Sequence, residues 1–431
     1  VTLSTLEEND RSIAVFTMLG HASVHWFELA IPLLLVVWLD VFEVSVALIG
    51  FIVALGYAPF GLGALPAGVL VDRYGPKRLI LCCLAGMSVA FITLAFATSI
   101  YAIAVSLLLW GLLASIYHPA GLALISTGVD ERGTVFAWHG IAGNLGIALG
   151  PFATATLLLV FDWRLVAIAL AVPGLLATLY GLRAEFDPTA ALEADSTTAS
   201  SATHETDSPA ASSLFESSRT LFASSFVLVF AIVTCVGLYY RGVLTYLPEL
   251  LNGLPALAAV DPPGELAELS LGDYFYVWVL VAGMGGQYVA GRLTDRIAVS
   301  RGVAIVFVVL AVLAVAFLPV SGSGVWLIVL YCGVLGFALF AIEPFYQEAV
   351  AVYTPAETRG LSYGYTYLGM FGLGSASIAV GGVLLESVSV RALFGLLAVY
   401  ALVGAIIAVR LVRRPVVTTA TASPNSPDES D

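Results

Sequence analysis

About twelve stretches of roughly twenty mostly apolar residues run through this chain of 431 residues. Each is long enough to carry an α-helix across the ~30 Å apolar core of a bilayer. They fall at roughly 13–38, 44–70, 79–97, 101–127, 134–160, 164–183, 220–250, 273–293, 302–320, 324–350, 360–386 and 390–411. At that depth no water is present to bond backbone N–H and C=O groups, so a spanning segment of this length satisfies them as a helix. Hydrophobic residues make up 60% of the chain and charged residues 11%, against roughly 25% charged in a typical soluble domain. A water-soluble globule could not cover so much apolar surface. A nucleic-acid binder needs a basic face, whereas the formal charge here is −13. Disorder requires low hydrophobicity. The expectation is an all-α polytopic membrane protein with twelve transmembrane helices, in contact with lipid and not with nucleic acid.

Six spans precede residue 184 and six follow residue 219. The chain therefore divides into an N-terminal six-helix half (1–183), a flexible acidic linker (184–219), a C-terminal half (220–414) and a disordered polar tail (415–431). A further polar loop, 252–272, joins the seventh and eighth spans and contains Pro255, Pro262 and Pro263. With both termini on one side, 14 of the 17 basic residues lie on that side: Arg11, Arg73, Lys77, Arg78, Arg132, Arg183, Arg219, Arg292, Arg296, Arg301, Arg359, Arg410, Arg413 and Arg414. Arg164 and Arg391 fall on the other side and Arg241 within a span. The positive-inside bias then predicts cytoplasmic termini in the plasma membrane. Trp38, Trp163 and Trp326 are placed at the outer interface, where indole is favoured. Cys82, Cys83, Cys235 and Cys332 sit in apolar runs without secreted-type spacing, so no disulfide framework is expected. The first apolar run is too long for a cleavable signal, and no small-residue cleavage site follows it.

Two loops repeat one another. Gly68-Val-Leu-Val-Asp72-Arg73-Tyr-Gly75-Pro-Lys77-Arg78 matches Gly291-Arg-Leu-Thr-Asp295-Arg296-Ile-Ala-Val-Ser-Arg301 at a constant offset of 223 positions. Each joins the second and third spans of its half, which points to a duplicated six-helix unit related by an axis along the membrane normal. Glycine permits close approach of helices. Asp at a helix end accepts from N–H groups or pairs with arginine. Ordinary positive-inside charge accounts for the arginines but not for the shared Gly–Asp–Arg spacing, which predicts a polar gating latch.

The first loop resembles the signature loop of the major facilitator superfamily. Pro76 stands at a commonly basic position, and the second copy has Ala298 in place of the second glycine. The resemblance covers the whole chain through helix count, linker and repeat. It implies a secondary transporter whose loop contacts the other half in the outward-facing state. A narrower likeness, to the fosmidomycin-resistance branch, is carried by Gly20-His21, Pro32-Leu-Leu, Tyr117-His118-Pro119, Arg132-Gly133 and Gly143-Asn144-Leu-Gly146-Ile-Ala-Leu-Gly150-Pro151. That branch implies proton-driven efflux. His25 here replaces an acidic residue of the branch pattern, and Ala120 replaces a frequent Glu. Gly146, Gly150 and Pro151 also resemble the antiporter motif of the fifth helix: small residues allow close packing and proline bends the helix.

Four of the five histidines, His21, His25, His118 and His139, fall within spans. Ionisable groups at membrane depth are expensive and by default face a cavity or a partner. His21, His25 and Glu28 are four and three residues apart and share one face of the first helix. Histidine titrates nearest neutral pH, so this stripe is the candidate proton site. A divalent metal with His118 as a further ligand, and purely structural hydrogen bonding, are rival readings; the expectation is no metal and no cofactor. His139, near the start of its helix, is read mainly as structural. Arg241 and Glu343 are single charges in the seventh and tenth spans, each in need of a partner. Arg241 could clamp an anionic substrate through its planar fork. Tyr363, Tyr365, Tyr367 and Phe371 could line an amphipathic cavity.

No nucleophile elbow and no phosphate-binding Walker loop is present, so neither enzyme chemistry nor nucleotide hydrolysis is expected. The expected function is proton-coupled efflux of a small amphipathic or anionic compound by a monomer, with organic-anion uptake and a non-transporting receptor or scaffold as alternatives. Of the 30 acidic residues, 14 cluster in the linker, the 252–272 loop with its helix junction, and the tail. The only lysine is Lys77. An acidic, lysine-poor aqueous surface suits a high-salt cytoplasm, so a halophilic archaeal source is expected.

Overall fold

A computed structural model of the chain describes residues 3–191, 210–260, 270–354 and 358–414. Among them the regular structure is helical, with no strand. The helices of the first half are α1 (Glu8–Val41), α2 (Val46–Leu62), α3 (Ala64–Tyr74), α4 (Pro76–Ala95), α5 (Ile100–Ala114), α6 (Tyr117–Gly128), α7 (Arg132–Leu158) and α8 (Trp163–Arg183). Helix α9 (Ala210–Ala223) precedes the second half. There follow α10 (Phe226–Asn252), α11 (Leu271–Leu293), α12 (Val299–Ser321), α13 (Val325–Tyr353), α14 (Arg359–Tyr367), a π-helical turn at Leu368–Leu373, α15 (Ala376–Ser387) and α16 (Val390–Leu411). By length and hydropathy ten helical segments can cross a membrane, and the α2–α3 pair, bent by 47°, makes an eleventh. Helix α11, at 23 residues, occupies the twelfth expected place. Asp273, Gln287 and its tyrosines and glycines dilute its apolar character.

The repeat seen in the loops recurs in the packing. In the first half α1 packs on α7, α2 on α5 and α4 on α8; in the second half α10 packs on the π turn, α11 on α13 and α12 on α16. These are corresponding pairs if each half is one copy of the same unit. The halves meet along α2 with α15, α7 with α11, and α1 with α10. The closeness of these seams follows from glycine. A Cβ on Gly146 would strike the Ala22 carbonyl, and one on Gly150 the Trp26 carbonyl, so α7 lies backbone to backbone against α1. Pro151 follows inside the same helix and removes one backbone donor there. A Cβ on Gly61 would strike the Gly372 amide, so α2 approaches the π turn of the other half equally closely.

Loops at the end remote from the termini start their helices with side-chain caps. Ser45 accepts from Leu48 N–H, Ser99 from Ala102 N–H, Asp162 from Arg164 N–H and Ser389 from Ala392 N–H. At the terminal end Asp10 supplies the corresponding service from a distance. Its carboxylate accepts from Asp130 N–H at 3.2 Å and Glu131 N–H at 3.0 Å, just before α7.

The described residues at both ends of the linker pack against the halves. Its first residues are tied to the first half: Lys77 Nζ donates to the Ala184 carbonyl at 2.5 Å, and Thr127 Oγ1 donates to the Pro188 carbonyl at 2.6 Å. Phe186 lies 5.7 Å from Phe16, centroid to centroid. The Thr189 hydroxyl and N–H both donate to Asp187, which holds that carboxyl below its usual range. Its last residues form α9, which is separate from the seventh span because Ser224 accepts from Phe226 N–H and restarts the helix. Phe222 of α9 meets Tyr365 edge-on at 4.8 Å. Residues 192–209 and the tail from 415 lie outside the described residues. The four cysteines are free.

Candidate functional site

The interior site is assembled from both halves at the level where α1 and α10 face one another. Glu28 is 1% exposed and Arg241 3%. Arg241 Nη2 donates to Glu28 Oε1, closing an ion pair between the first span of one half and the first span of the other. A buried charge without its partner costs several kcal/mol, so each of these residues accounts for the other. This settles which partner Arg241 takes: not Glu343, which instead accepts from Gln287 at 3.0 Å and from Gln347 at 2.9 Å. The guanidinium carbon lies 4.3 Å from the Tyr57 ring centroid and 4.7 Å from that of Phe371, so the charge is roofed by π faces as well. Tyr57 is itself fixed by donating its hydroxyl to the Glu28 carbonyl at 2.5 Å. Arg241 Nε remains buried with no acceptor.

The histidine stripe sits directly beside this pair. His25 Nδ1 is 2.6 Å from Glu28 Oε2, and His25 Nε2 is 3.1 Å from His21 Nε2. His21 Nδ1 is 2.8 Å from the His139 carbonyl. The His21 ring stacks on the His139 ring at 4.0 Å. Gly143 makes that position possible, because a Cβ there would run into the His21 ring. Gly20 likewise admits the Tyr117 ring. Tyr117 donates to the Thr17 carbonyl and pairs with His139 Nε2 at 3.1 Å. His139 thus supports His21 through its carbonyl and its ring. His118 enters from α6 and stacks on Tyr367 of the other half at 4.6 Å. Its Nε2 is buried without a partner. The expected site residues His21, His25, Glu28, His118 and Arg241 are therefore one cluster. Glu343 lies apart in a Gln–Glu–Gln arrangement. Among the aromatics, Tyr367 and Phe371 face the cluster, whereas Tyr365 bonds Ser218 at 2.9 Å toward α9.

The signature loops behave differently from the interior. Gly75 has φ +82°, a conformation that favours glycine, and Pro76 opens α4 directly after it. The equivalent position in the second loop, Ala298, has φ −56°, open to any residue, and precedes α12 without a side-chain cap. The second loop therefore tolerates the loss of its glycine because its backbone does not make that turn. Asp72, Arg73, Arg78, Asp295, Arg296 and Arg301 are exposed. Lys77 is spent on Ala184 and the Phe186 ring, 4.9 Å away. Nothing lies within 4 Å of a Cβ built on Gly68 or Gly291. Among the described residues Asp72 and Asp295 form no ion pair.

Several participants carried no signal in the sequence. Tyr57 and Gln287 are ordinary residues of apolar helices until their hydroxyl and amide are seen to point at Glu28 and Glu343. Phe60 was likewise unmarked, yet its ring lies 4.4 Å from Phe371 across the half interface.

Comparisons with known proteins agree with this architecture. The model of the Major Facilitator Superfamily matches residues 16–379, with a second match over 267–429. A gallate transporter of Pseudomonas putida is 28% identical over 166 residues, 34% of this chain and 37% of that protein. The uncharacterized MFS-type transporter YqjV of Bacillus subtilis is 27% identical over 173 residues, 40% of each chain. These alignments span about two fifths of the length of the curated relatives. Among solved structures, a mutant of the nucleoside transporter NupG superposes with a TM-score of 0.74 at 13% identity, covering 93% of this chain and 99% of that one. A bacterial homolog of the human lysosomal transporter Spinster, inward-facing and occupied, gives 0.69 at 12% identity, covering 94% and 97%. With the family model matching most of its length, the chain belongs to the major facilitator superfamily.

Proposed function

We propose that this transporter moves small organic anions with an apolar or aromatic body by alternating access, with Arg241 as their counter-charge. One observation carries the reading. A guanidinium at the meeting point of the halves holds one carboxylate, Glu28, on one nitrogen and leaves Nε buried and unpaired. Guanidinium forks suit carboxylates, and the surrounding faces of Tyr57, Phe371 and Tyr240 suit an aromatic ring. The similarity of a third of the chain to a gallate transporter supports the same class, since gallate is an aromatic carboxylate. A substrate carboxylate that competes with Glu28 for Arg241 loosens the bond between the first spans of the two halves. Alternation then follows from substrate binding.

Protons as the driving ion, export as the direction, a monomer in the plasma membrane, and cytoplasmic termini complete the proposal. They rest on the motif resemblance and the positive-inside bias. Purified protein should bind benzoate-type anions, and Arg241→Lys should bind them at least tenfold more weakly, because a point charge replaces a fork. Unchanged affinity removes the clamp. In sealed vesicles an imposed pH gradient should drive flux of the bound anion; flux that persists after the gradient is collapsed removes the proton drive. The sign of accumulation distinguishes export from import.

A further inference from the structure

The arrangement of the three histidines raises a question that an anion site does not answer. His21 Nδ1 lies against a carbonyl and His25 Nδ1 against a carboxylate, both acceptors only. Each Nδ1 must therefore carry the hydrogen. In the neutral rings each Nε2 is then a bare lone pair, and these two lone pairs face one another at 3.1 Å. Two lone pairs at that separation repel unless a positive centre lies between them. The third ring, His118, is 94% buried by the complement of its 6% exposure, and its Nε2 has no partner. Its centroid is 5.4 Å from that of His21 and 5.6 Å from that of His25. The candidate ligand atoms of His21, His25 and His118 all lie within 4.8 Å of one another.

We propose that His21, His25 and His118 form a binding site for one divalent transition-metal ion of the zinc, cobalt or nickel class. Metal–nitrogen bonds of 2.0–2.1 Å in tetrahedral geometry place neighbouring nitrogens about 3.3 Å apart. The His21–His25 pair at 3.1 Å is already near that edge length. The third nitrogen closes on the pair by a shift of roughly 1.5 Å at most. Imidazole donors select this class over magnesium or calcium, which take oxygen. The outer contacts are those of a metal site as well. Glu28 holds the far nitrogen of His25, and the His139 carbonyl holds that of His21, so both rings are oriented and their basicity raised. Three protein ligands leave a fourth position for water or an anion oxygen. The site lies wholly in the first half, so it does not depend on the anion reading. His118 leans on Tyr367 of the second half, which places the ion where the halves move against each other.

The test is titration of the purified full-length transporter with Co²⁺ and then Zn²⁺. One Co²⁺ per chain should bind with the visible absorption of a four-coordinate nitrogen-rich site, and Zn²⁺ should displace it. Glu28→Gln should weaken binding ten- to a hundredfold by releasing His25, and His118→Ala should weaken it further and alter the spectrum. His204→Ala, a histidine outside the spans, should bind as wild type. A second measurement needs no variant: Zn²⁺, but not Mg²⁺, should raise the melting temperature of the wild-type protein. Failure of folded wild type to bind Co²⁺ or Zn²⁺ at micromolar concentration, or binding unaffected by His118→Ala, overturns the proposal. A proton is then what lies between the two nitrogens.

Discussion

The two ends of the bundle are built from the same helices, yet they hold together by different means. At the end remote from the termini the halves are sealed. Glu386 of the second half accepts from Ala47 N–H at 2.8 Å and so caps α2 of the first. Gly50 and Gly382 close around the Tyr246 hydroxyl, and Phe152 meets Tyr274 edge-on at 6.3 Å. At the terminal end the α2–α3 seam still touches α14, where Leu65 lies over Gly364. Along α7 and α11 the seam is different. A Cβ built on Gly133, Gly140, Gly285 or Gly291 would meet nothing within 4 Å. The signature loops are exposed there. On the terminal side these glycines of α7 and α11 face open space, whereas on the other side the halves touch. The difference is one of contact: backbone proximity joins the halves on one side, and glycines without neighbours stand on the other.

The largest expected effect comes from the pin between the two ends. Glu28→Leu or Arg241→Leu should each lose about 3–5 kcal/mol by leaving a buried charge unpaired. The double variant should be less damaged than either, as read by thermal melts in detergent. Equal and additive losses would show that the pair is not what joins the halves. Next, Gly61→Leu, which forces α2 off the π turn, should cost about 1–3 kcal/mol and weaken the seam common to both ends. The matched pair Gly50→Val and Gly68→Val sharpens the contrast further. The first should destabilise by a similar ~1–3 kcal/mol, whereas the second, facing open space, should stay within about 0.5 kcal/mol. Gly75→Ala should cost about 1 kcal/mol through its positive φ, with Ala298→Gly nearly silent. Least of all, Glu386→Gln should remove only the charge–dipole part of the cap on α2, a small loss at low salt that should fade as salt is added.

Much of this was readable from residues alone because the relevant physics is local or periodic. The ten helices long and apolar enough to span, and the bent α2–α3 pair, follow from apolar runs, and the repeated loops from a constant offset of 223 positions. The backbone contact of Gly146 and Gly150 follows from small residues one helical turn apart, and the His21–His25–Glu28 stripe from the helical period. What escaped was set by tertiary geometry. Nothing within Arg241's own helix points to Glu28, 213 positions away. Glu343 finds one glutamine on its own helix but a second on α11. The breaks between α2 and α3 and between α5 and α6 lie side by side, since a Cβ on Gly63 would meet Ser115. Each break looks like continuous apolar sequence. The linker read as having nothing to bury, yet its Phe186 finds the Phe16 ring and its Ser218 bonds Tyr365.

The charge pair also bears on how the two halves recognise each other. Glu28 lies in the first span of one half and Arg241 in the first span of the other, and the two side chains meet. At the offset of 223 the counterpart of Glu28 is Leu251 and that of Arg241 is Met18, so neither half carries a copy of the other's charge at the matching position. A first half alone keeps a buried carboxylate without its guanidinium, and a second half alone the reverse. A buried charge without its partner is costly, so each half is completed by its sibling and not by itself. The segment 1–183 produced alone should fail to self-associate and should be rescued by co-production of 220–414; a stable dimer of the first segment in cross-linking would contradict this.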